Sequence, residues 1–335
     1  MQRPNGDAAR APRSRHQPNF TYRAKTRLQK IGWILFRSIL LFGVSFIILY
    51  PLIYMLSMAF RDLRDMVDPA IVWIPKHLTL DAVKDSFAAM DYPRSLWNTV
   101  RLDLVSSLLQ VVSCALVGYG FARFQFKGKR LFFALAVFTI VIPPQVVYTP
   151  TYLFYRNFDF LGLGSLIGAV TGTKFSISLL DSGLTLYLPA LFGVGIRSGL
   201  FIYIFRQFYR ALPKELEDAA YIDGCGFVKT FLRVIAPNAR GAFLTVFLFS
   251  VVWYWNDYYF TTMYFTHTHT VSTALASLPS LLSLQKGMTE ILNDAYLIVT
   301  RLQAGCLLTI LPILVLYVFL QKYFTEGLER SGLVG

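Results

Sequence analysis

The chain has 335 residues, 55% of them hydrophobic and only 15% charged, with a mean hydropathy of +0.50. A soluble domain carries about 25% charged residues, so a soluble fold is excluded and the chain reads as an all-α polytopic membrane protein. Its net charge of +13 then belongs to topology and lipid headgroups, not to nucleic acid.

Residues 1–30 are polar and basic, with Arg3, Arg10, Arg13 and Arg15 among the cations and Asp7 the single acid. They read as a disordered cytoplasmic tail ahead of a membrane domain over 31–335. The apolar run 38–60 is long enough to span a bilayer. It is too long for a signal-peptide core and lacks a small-x-small cleavage site, so it is expected to be a retained first span. A second span is expected over 104–121, followed by a basic turn with Arg123, Lys127, Lys129 and Arg130. The third, 131–154, contains Pro143, Pro144 and Pro150. Three prolines predict a broken helix, tolerated only where protein or water satisfies the freed carbonyls.

The apolar piece 160–170 is too short to span, and reads as re-entrant or as the first half of an interrupted fourth span. The main fourth span is expected over 184–205. It carries Gly195 and Gly199 at close-packing spacing and the intramembrane cation Arg197. A polar, punctuated stretch follows over 212–237, within a loop of 206–240. Pro213 can open a helix there. Glu215, Glu217 and Asp218 crowd its first turns, where the helix dipole favours negative charge. Leu216, Ala219, Ala220 and Asp223 fall on one face, and Gly224 can end the helix in a left-handed conformation. A second short amphipathic helix over 227–235 leads to Pro237. Fifth and sixth spans are expected over 242–265 and 302–320, giving about six in all. Basic residues favour the inner segments about two to one, which puts both termini and the 206–240 loop in the cytoplasm.

The 212–237 stretch resembles the coupling loop of ATP-binding-cassette importer permeases. Its Asp218-Ala219-Ala220, three residues, Gly224, nine residues and Val234-Ile235-Ala236-Pro237 keep the spacing of that family's Glu-Ala-Ala loop, with Asp, Val and Ala as departures. Lys214-Glu215-Leu216-Glu217 and Ile222-Asp223-Gly224 resemble the carbohydrate-uptake branch. Tyr50-Pro51-Leu52, Trp73-Ile74-Pro75-Lys76, Gly118-Tyr119-Gly120-Phe121-Ala122-Arg123-Phe124, Trp255-Asn256-Asp257-Tyr258 and the terminal Glu326-Gly327-Leu328 resemble other parts of the same permease family. The stretch 171–188 departs from the pattern and looks like an insertion. The resemblance implies a type I importer permease bundle in a bacterial or archaeal cell (inner) membrane. It implies a second permease subunit, a dimer of ATPase subunits on the coupling loops and an extracytoplasmic solute-binding protein. The coupling residues implied are Glu215, Glu217, Asp218, Ala219, Ala220, Asp223, Gly224 and Pro237. No cofactor is expected here. The chain has no Gly-x-x-x-x-Gly-Lys-Ser/Thr loop, so ATP–Mg belongs on the partner ATPase.

For the solute, the candidates are Trp253, Asn256, Asp257, Tyr259 and Arg197. Trp253 would lie about 16 Å into the fifth helix, near the bilayer middle. One expectation is an aromatic belt with Asp257 paired to Arg197 or Arg301. The other is a sugar ring stacked on the aromatic face, with Asn256 and Asp257 bonding its hydroxyls and Asn256 and Tyr259 sharing a face. A permease for another solute, such as an amino acid or phosphonate, and a passive channel are the nearest rivals. A membrane-embedded enzyme would need paired His, Asp or Glu. His267-Thr268-His269 reads instead as an exposed surface pair, and Cys114, Cys225 and Cys306 form no disulfide or zinc pattern.

Overall fold

The computed structural model describes residues 20–159, 162–172, 176–286 and 295–332. The first part of the expected tail, Lys174 and the final Gly335 lie outside them. The chain divides into two compact units, Met1–Tyr54 and Met55–Gly335. The described elements are helical, apart from isolated bridges pairing Arg61 with Leu78 and Phe158 with Ile177.

The first helix, α1 (Phe20–Ala59), carries the first span and ends in the second unit. There follow α2 (Leu63–Met66), α3 (Asp81–Ala89) and the long α4 (Tyr92–Arg123). Next come α5 (Lys129–Phe138), α6 (Pro144–Arg156), α7 (Leu163–Thr171), α8 (Leu184–Leu191) and α9 (Ser198–Ala211). The loop helices are α10 (Glu215–Ile222) and α11 (Phe227–Asn238), the latter with a π-helical turn at Phe231–Ile235. The last are α12 (Arg240–Trp255), α13 (Tyr259–Tyr264), α14 (Val271–Ala276), α15 (Leu278–Lys286) and α16 (Ala295–Gly332).

Three described helices are long and apolar enough to cross a membrane unbroken: Gln29–Ala59, Tyr92–Arg123 and Ala295–Phe319. The count of about six is therefore corrected, because the other three expected spans are each interrupted. The third breaks at residues 139–143, where Pro143 caps and Pro144 opens α6. Proline has no N–H to donate and forces the preceding residue out of the helical region, so the break falls where the prolines predict. The fourth breaks between α8 and α9, with Gly193 and Arg197 both left-handed. The fifth stops at Trp255, ten residues before its expected end, and turns through 79° from α11 at its start.

Helix α4 is the post against which the broken fourth and fifth spans lean, packing on α8, α9 and α12. Between lipid-bathed helices there is little hydrophobic drive, so close approach and polar bonds carry the association. Gly118 supplies the approach: a Cβ there would sit 2.6 Å from the Phe205 Cβ of α9. A buried polar row on α4 supplies the bonds. Gln110 Nε2 donates to the Ile196 carbonyl and to Ser198 Oγ, and Ser113 Oγ donates to the Ala190 carbonyl at 2.6 Å. The Ile196 carbonyl lies in the break between α8 and α9, where an unsatisfied backbone group costs on the order of several kcal/mol, while the Ala190 carbonyl at the end of α8 also accepts from the Gly193 N–H at 3.3 Å. Gly195 lies inside the break, beside Tyr254 Oη and Gln110 Oε1, while Gly199 faces Thr139 and Ala136 at the end of α5. The two glycines thus serve different contacts and not one continuous helix face.

The core around α4 gathers Cys114, Tyr119, Phe201, Phe205, Tyr209, Phe231 and Ile235. Tyr119, fully buried, touches the rings of Tyr209, Phe227 and Phe231 at centroid distances of 5.1–5.5 Å. One ring therefore joins a span, the end of the fourth span and the second loop helix.

Candidate functional site

The loop between α9 and α12 forms as its sequence predicts. Helix α10 starts at Glu215, two residues after Pro213, and all three acids, Glu215, Glu217 and Asp218, occupy its first turn. Gly224 is left-handed at φ +76°. Its N–H donates to the Tyr221 carbonyl at 3.0 Å, and the Cys225 N–H donates to the Ala220 carbonyl at 2.9 Å. These paired bonds close the helix end, and only a residue without a Cβ takes that conformation freely. Helix α11 outlasts its expected end and carries Pro237 within it.

The face composition differs from expectation. Ala220 is buried, while Ala219 and Asp223 are exposed and Leu216 is half-buried. The two alanines therefore do not form one docking face. Glu217 sets the rotation of the helix. Its carboxylate turns inward and lies 2.7 Å from Arg123 Nε, with both side chains about nine-tenths buried. The contact is electrostatic, since neither atom makes a well-angled hydrogen bond. A second nitrogen of the Arg123 guanidinium donates to the Leu212 carbonyl at 2.8 Å. With Glu217 and Ala220 inward, Glu215, Asp218, Ala219 and Ile222 face outward, Ile222 86% exposed. Tyr221 and Val228 are exposed beside them. The result is a short rigid helix whose free face is apolar with an acidic rim.

The second group of candidates meets at the breaks in the fourth and fifth spans. Trp253 lies in the last turn of α12 and Asn256 caps that helix. The expected shared face of Asn256 and Tyr259 is corrected, because the helix stops between them. Asp257 begins the next helix instead. It accepts from the Thr261 N–H at 2.9 Å and more weakly from the Phe260 N–H at 3.4 Å. Its own carbonyl accepts from Ser272 Oγ. It pairs with neither expected arginine. Arg301 is bound to Asp85 at 2.8 Å, and the guanidinium carbon of Arg197 sits 4.4 Å from the centroid of the Trp253 ring. Tyr148 of α6 completes the group. It stacks on Tyr259 at 5.6 Å, meets Phe260 edge-on and lies within electrostatic range of Asp257 and Arg197. Tyr148 gave no sequence signal beyond its place between Pro144 and Pro150, and only the break in the third span brings it here.

The outer stretch 171–188 is tied to the end of the fifth span. Asp181, left-handed at φ +59°, accepts from the Thr266 N–H at 2.7 Å and the His267 N–H at 2.9 Å. Burial raises the Asp181 carboxyl, but these donors outweigh it and hold it below the ordinary carboxylate range. His267 and His269 are exposed, and among the described residues no group of His, Cys, Asp or Glu can hold a metal ion.

Residues 115–330, which contain both candidate sites, match the family described as binding-protein-dependent transport system inner membrane component. The chain belongs to that family. Among curated relatives of this inner membrane component, Protein LplC of Bacillus subtilis is 26% identical over 88% of this chain and 92% of its own length. The arabinooligosaccharides transport system permease protein AraQ of Halalkalibacterium halodurans is also 26% identical, over 87% of this chain and 93% of its own. Among solved structures, a bacterial ABC transporter involved in the import of the acidic polysaccharide alginate superposes with a TM-score of 0.66, at 19% identity, covering 89% of this chain and 98% of that one. That likeness concerns the fold.

Proposed function

We propose that the chain is the permease subunit of an ATP-driven sugar importer, coupled to a separate ATPase through residues 212–237. The observation that carries this reading is the outward face of α10. Ile222, Tyr221 and Val228 expose apolar surface beside Asp218 and Glu215. Exposed apolar groups rimmed by charge mark a docking surface. The internal clasp of Glu217 on Arg123 holds that face rigid against the spans. An ATPase dimer carries the ATP–Mg, docks through basic residues on the acidic rim, and closes on nucleotide binding. Helix α10 passes the closure to α4 and α9, and a second permease rocks against this one around a site between them. A solute-binding protein delivers cargo on the outer side, and both termini lie in the cytoplasm. The exposed aromatics Trp253, Tyr258 and Tyr259 beside Asn256 suit a saccharide, which stacks on rings and bonds through hydroxyls. The arabinooligosaccharide relative and the alginate importer support the same solute class.

The test is reconstitution with the neighbouring-gene permease, ATPase and binding protein in liposomes. Saccharide-stimulated ATP hydrolysis with uptake is the expected result. Saccharide uptake without an ATPase would return the passive channel, and uptake of amino acids or phosphonates alone would return the other solute classes.

A further inference from the structure

Among the described residues, the guanidinium groups of Arg61, Arg123 and Arg301 each meet a partner on this chain. Arg61 donates to the Ile71 and Val72 carbonyls, Arg123 meets Glu217, and Arg301 meets Asp85. The guanidinium of Arg197, a half-buried residue at the break of the fourth span, makes no hydrogen bond and no ion pair among the described residues. It lies over the Trp253 ring, 4.4 Å from the centroid. That contact fixes the guanidinium without occupying its donors, since the ring face attracts the charge and leaves the in-plane N–H groups outward. The obvious internal partner, Asp257, is occupied by the α13 amides. The backbone of Arg197 is itself left-handed, a strained state for a residue with a Cβ and one that gathers at ligand sites.

We propose that Arg197 binds a carboxylate of the solute and that the cargo is an acidic, uronate-bearing oligosaccharide. A planar guanidinium matches a carboxylate through two parallel N–H donors, which a neutral hydroxyl cannot reproduce. Tyr148, stacked on Tyr259, lies within electrostatic range of Arg197, so that the pyranose carrying that carboxylate can present its apolar face to those rings. This rests on the saccharide reading above and adds the charge of the cargo.

The test uses the intact complex of both permeases and the ATPase, without binding protein, so that selection upstream does not enter. Binding of trigalacturonate is compared with binding of its carboxyl-reduced, neutral counterpart by titration calorimetry. The wild type is expected to favour the uronate by roughly tenfold or more, the scale of one charge-assisted pair, with the preference shrinking as salt rises. Arg197→Gln is expected to remove the preference and Arg197→Lys to keep part of it. Equal binding of the two saccharides by the wild type, or a preference unchanged in Arg197→Gln, overturns the acidic-cargo assignment and leaves the saccharide reading standing. Binding of neither by the wild type overturns both. Loss of the partner permease from Arg197→Gln, with wild-type salt-independent binding of the two sugars, overturns the proposal and assigns the guanidinium to the subunit interface.

Discussion

Arg123, the last residue of α4, holds Glu217 of the coupling helix across a 2.7 Å ion pair that is shielded from solvent on both sides. The pair therefore ties α10 to the span on which α8, α9 and α12 pack. Breaking a buried pair by removing one partner leaves the other charge uncompensated, a cost of about 3–5 kcal/mol. Glu217→Gln and Arg123→Gln are each expected to lower the melting temperature of the purified complex and to uncouple ATP hydrolysis from uptake. The double variant Arg123→Leu with Glu217→Leu is expected to recover much of the stability and little of the coupling. A double-mutant cycle on melting that comes out additive would show that the two side chains do not act as a pair.

Ala219 and Gly224 act on the outer face of the same helix. Ala219→Trp places a large ring on the exposed face proposed to meet the ATPase, and Gly224→Val forces a β-branched residue into φ +76°. Both are expected to abolish transport and weaken ATPase co-purification while membrane levels stay near wild type. Ala220→Trp differs, because Ala220 is buried, and it is expected to lower the membrane level itself. Normal solute-stimulated hydrolysis in Ala219→Trp and Gly224→Val would remove α10 from the docking surface.

The end of this loop was legible in the sequence, and its orientation was not. Gly224 and the first-turn acids are local signals, fixed by backbone sterics and the helix dipole within a few residues. Glu217 looks like its acidic neighbours until a guanidinium distant in the chain draws it inward. The interrupted spans follow the same division. Pro143-Pro144 announces a break because proline breaks helices wherever it stands. The breaks at Arg197 and at Asn256 lie inside apolar runs, since a discontinuous helix must be as apolar as a continuous one. Asp257 followed by Thr261 was a readable helix start, but the surrounding hydrophobic run hid it.

The basic-residue bias predicts the orientation, and reporter fusions check it. Fusions after Lys129 and after Gly226 are expected to read cytoplasmic, and those after Lys84 and Lys286 external. A cytoplasmic readout after Lys84 would invert the bundle and place α10 on the wrong side for an ATPase.

The Asp181 latch on Thr266 and His267 has a defined pH response. A carboxyl held below its ordinary value contributes stability above the unfolded value, near 4, and loses it as pH falls through the lowered folded value. The protection of the Thr266 and His267 amides, their exchange taken relative to the intrinsic rate at each pH, is therefore expected to stay unchanged from pH 8 to pH 5 and to fall only below about pH 4. Asp181→Ala should show the low protection at every pH, and a transition near pH 6 in the wild type would point to histidine instead.

Asn256 and Asp257 separate solute contact from helix capping. Asn256 is exposed, and its amide donates only within its own helix, to the Val252 carbonyl at 2.8 Å. Asp257 starts α13 through the Thr261 N–H, and removing such a cap costs about 0.5–2 kcal/mol. Asn256→Leu is therefore expected to slow saccharide uptake in vesicles at unchanged melting temperature. Asp257→Leu should lower melting and uptake together, because α13 carries Tyr259 and Phe260 against Tyr148. Asp257→Ser keeps a capping oxygen and should restore the melting temperature. If its uptake returns as well, the carboxylate acts through the helix it starts. Uptake that stays low at restored stability would place the Asp257 carboxylate in direct contact with the solute.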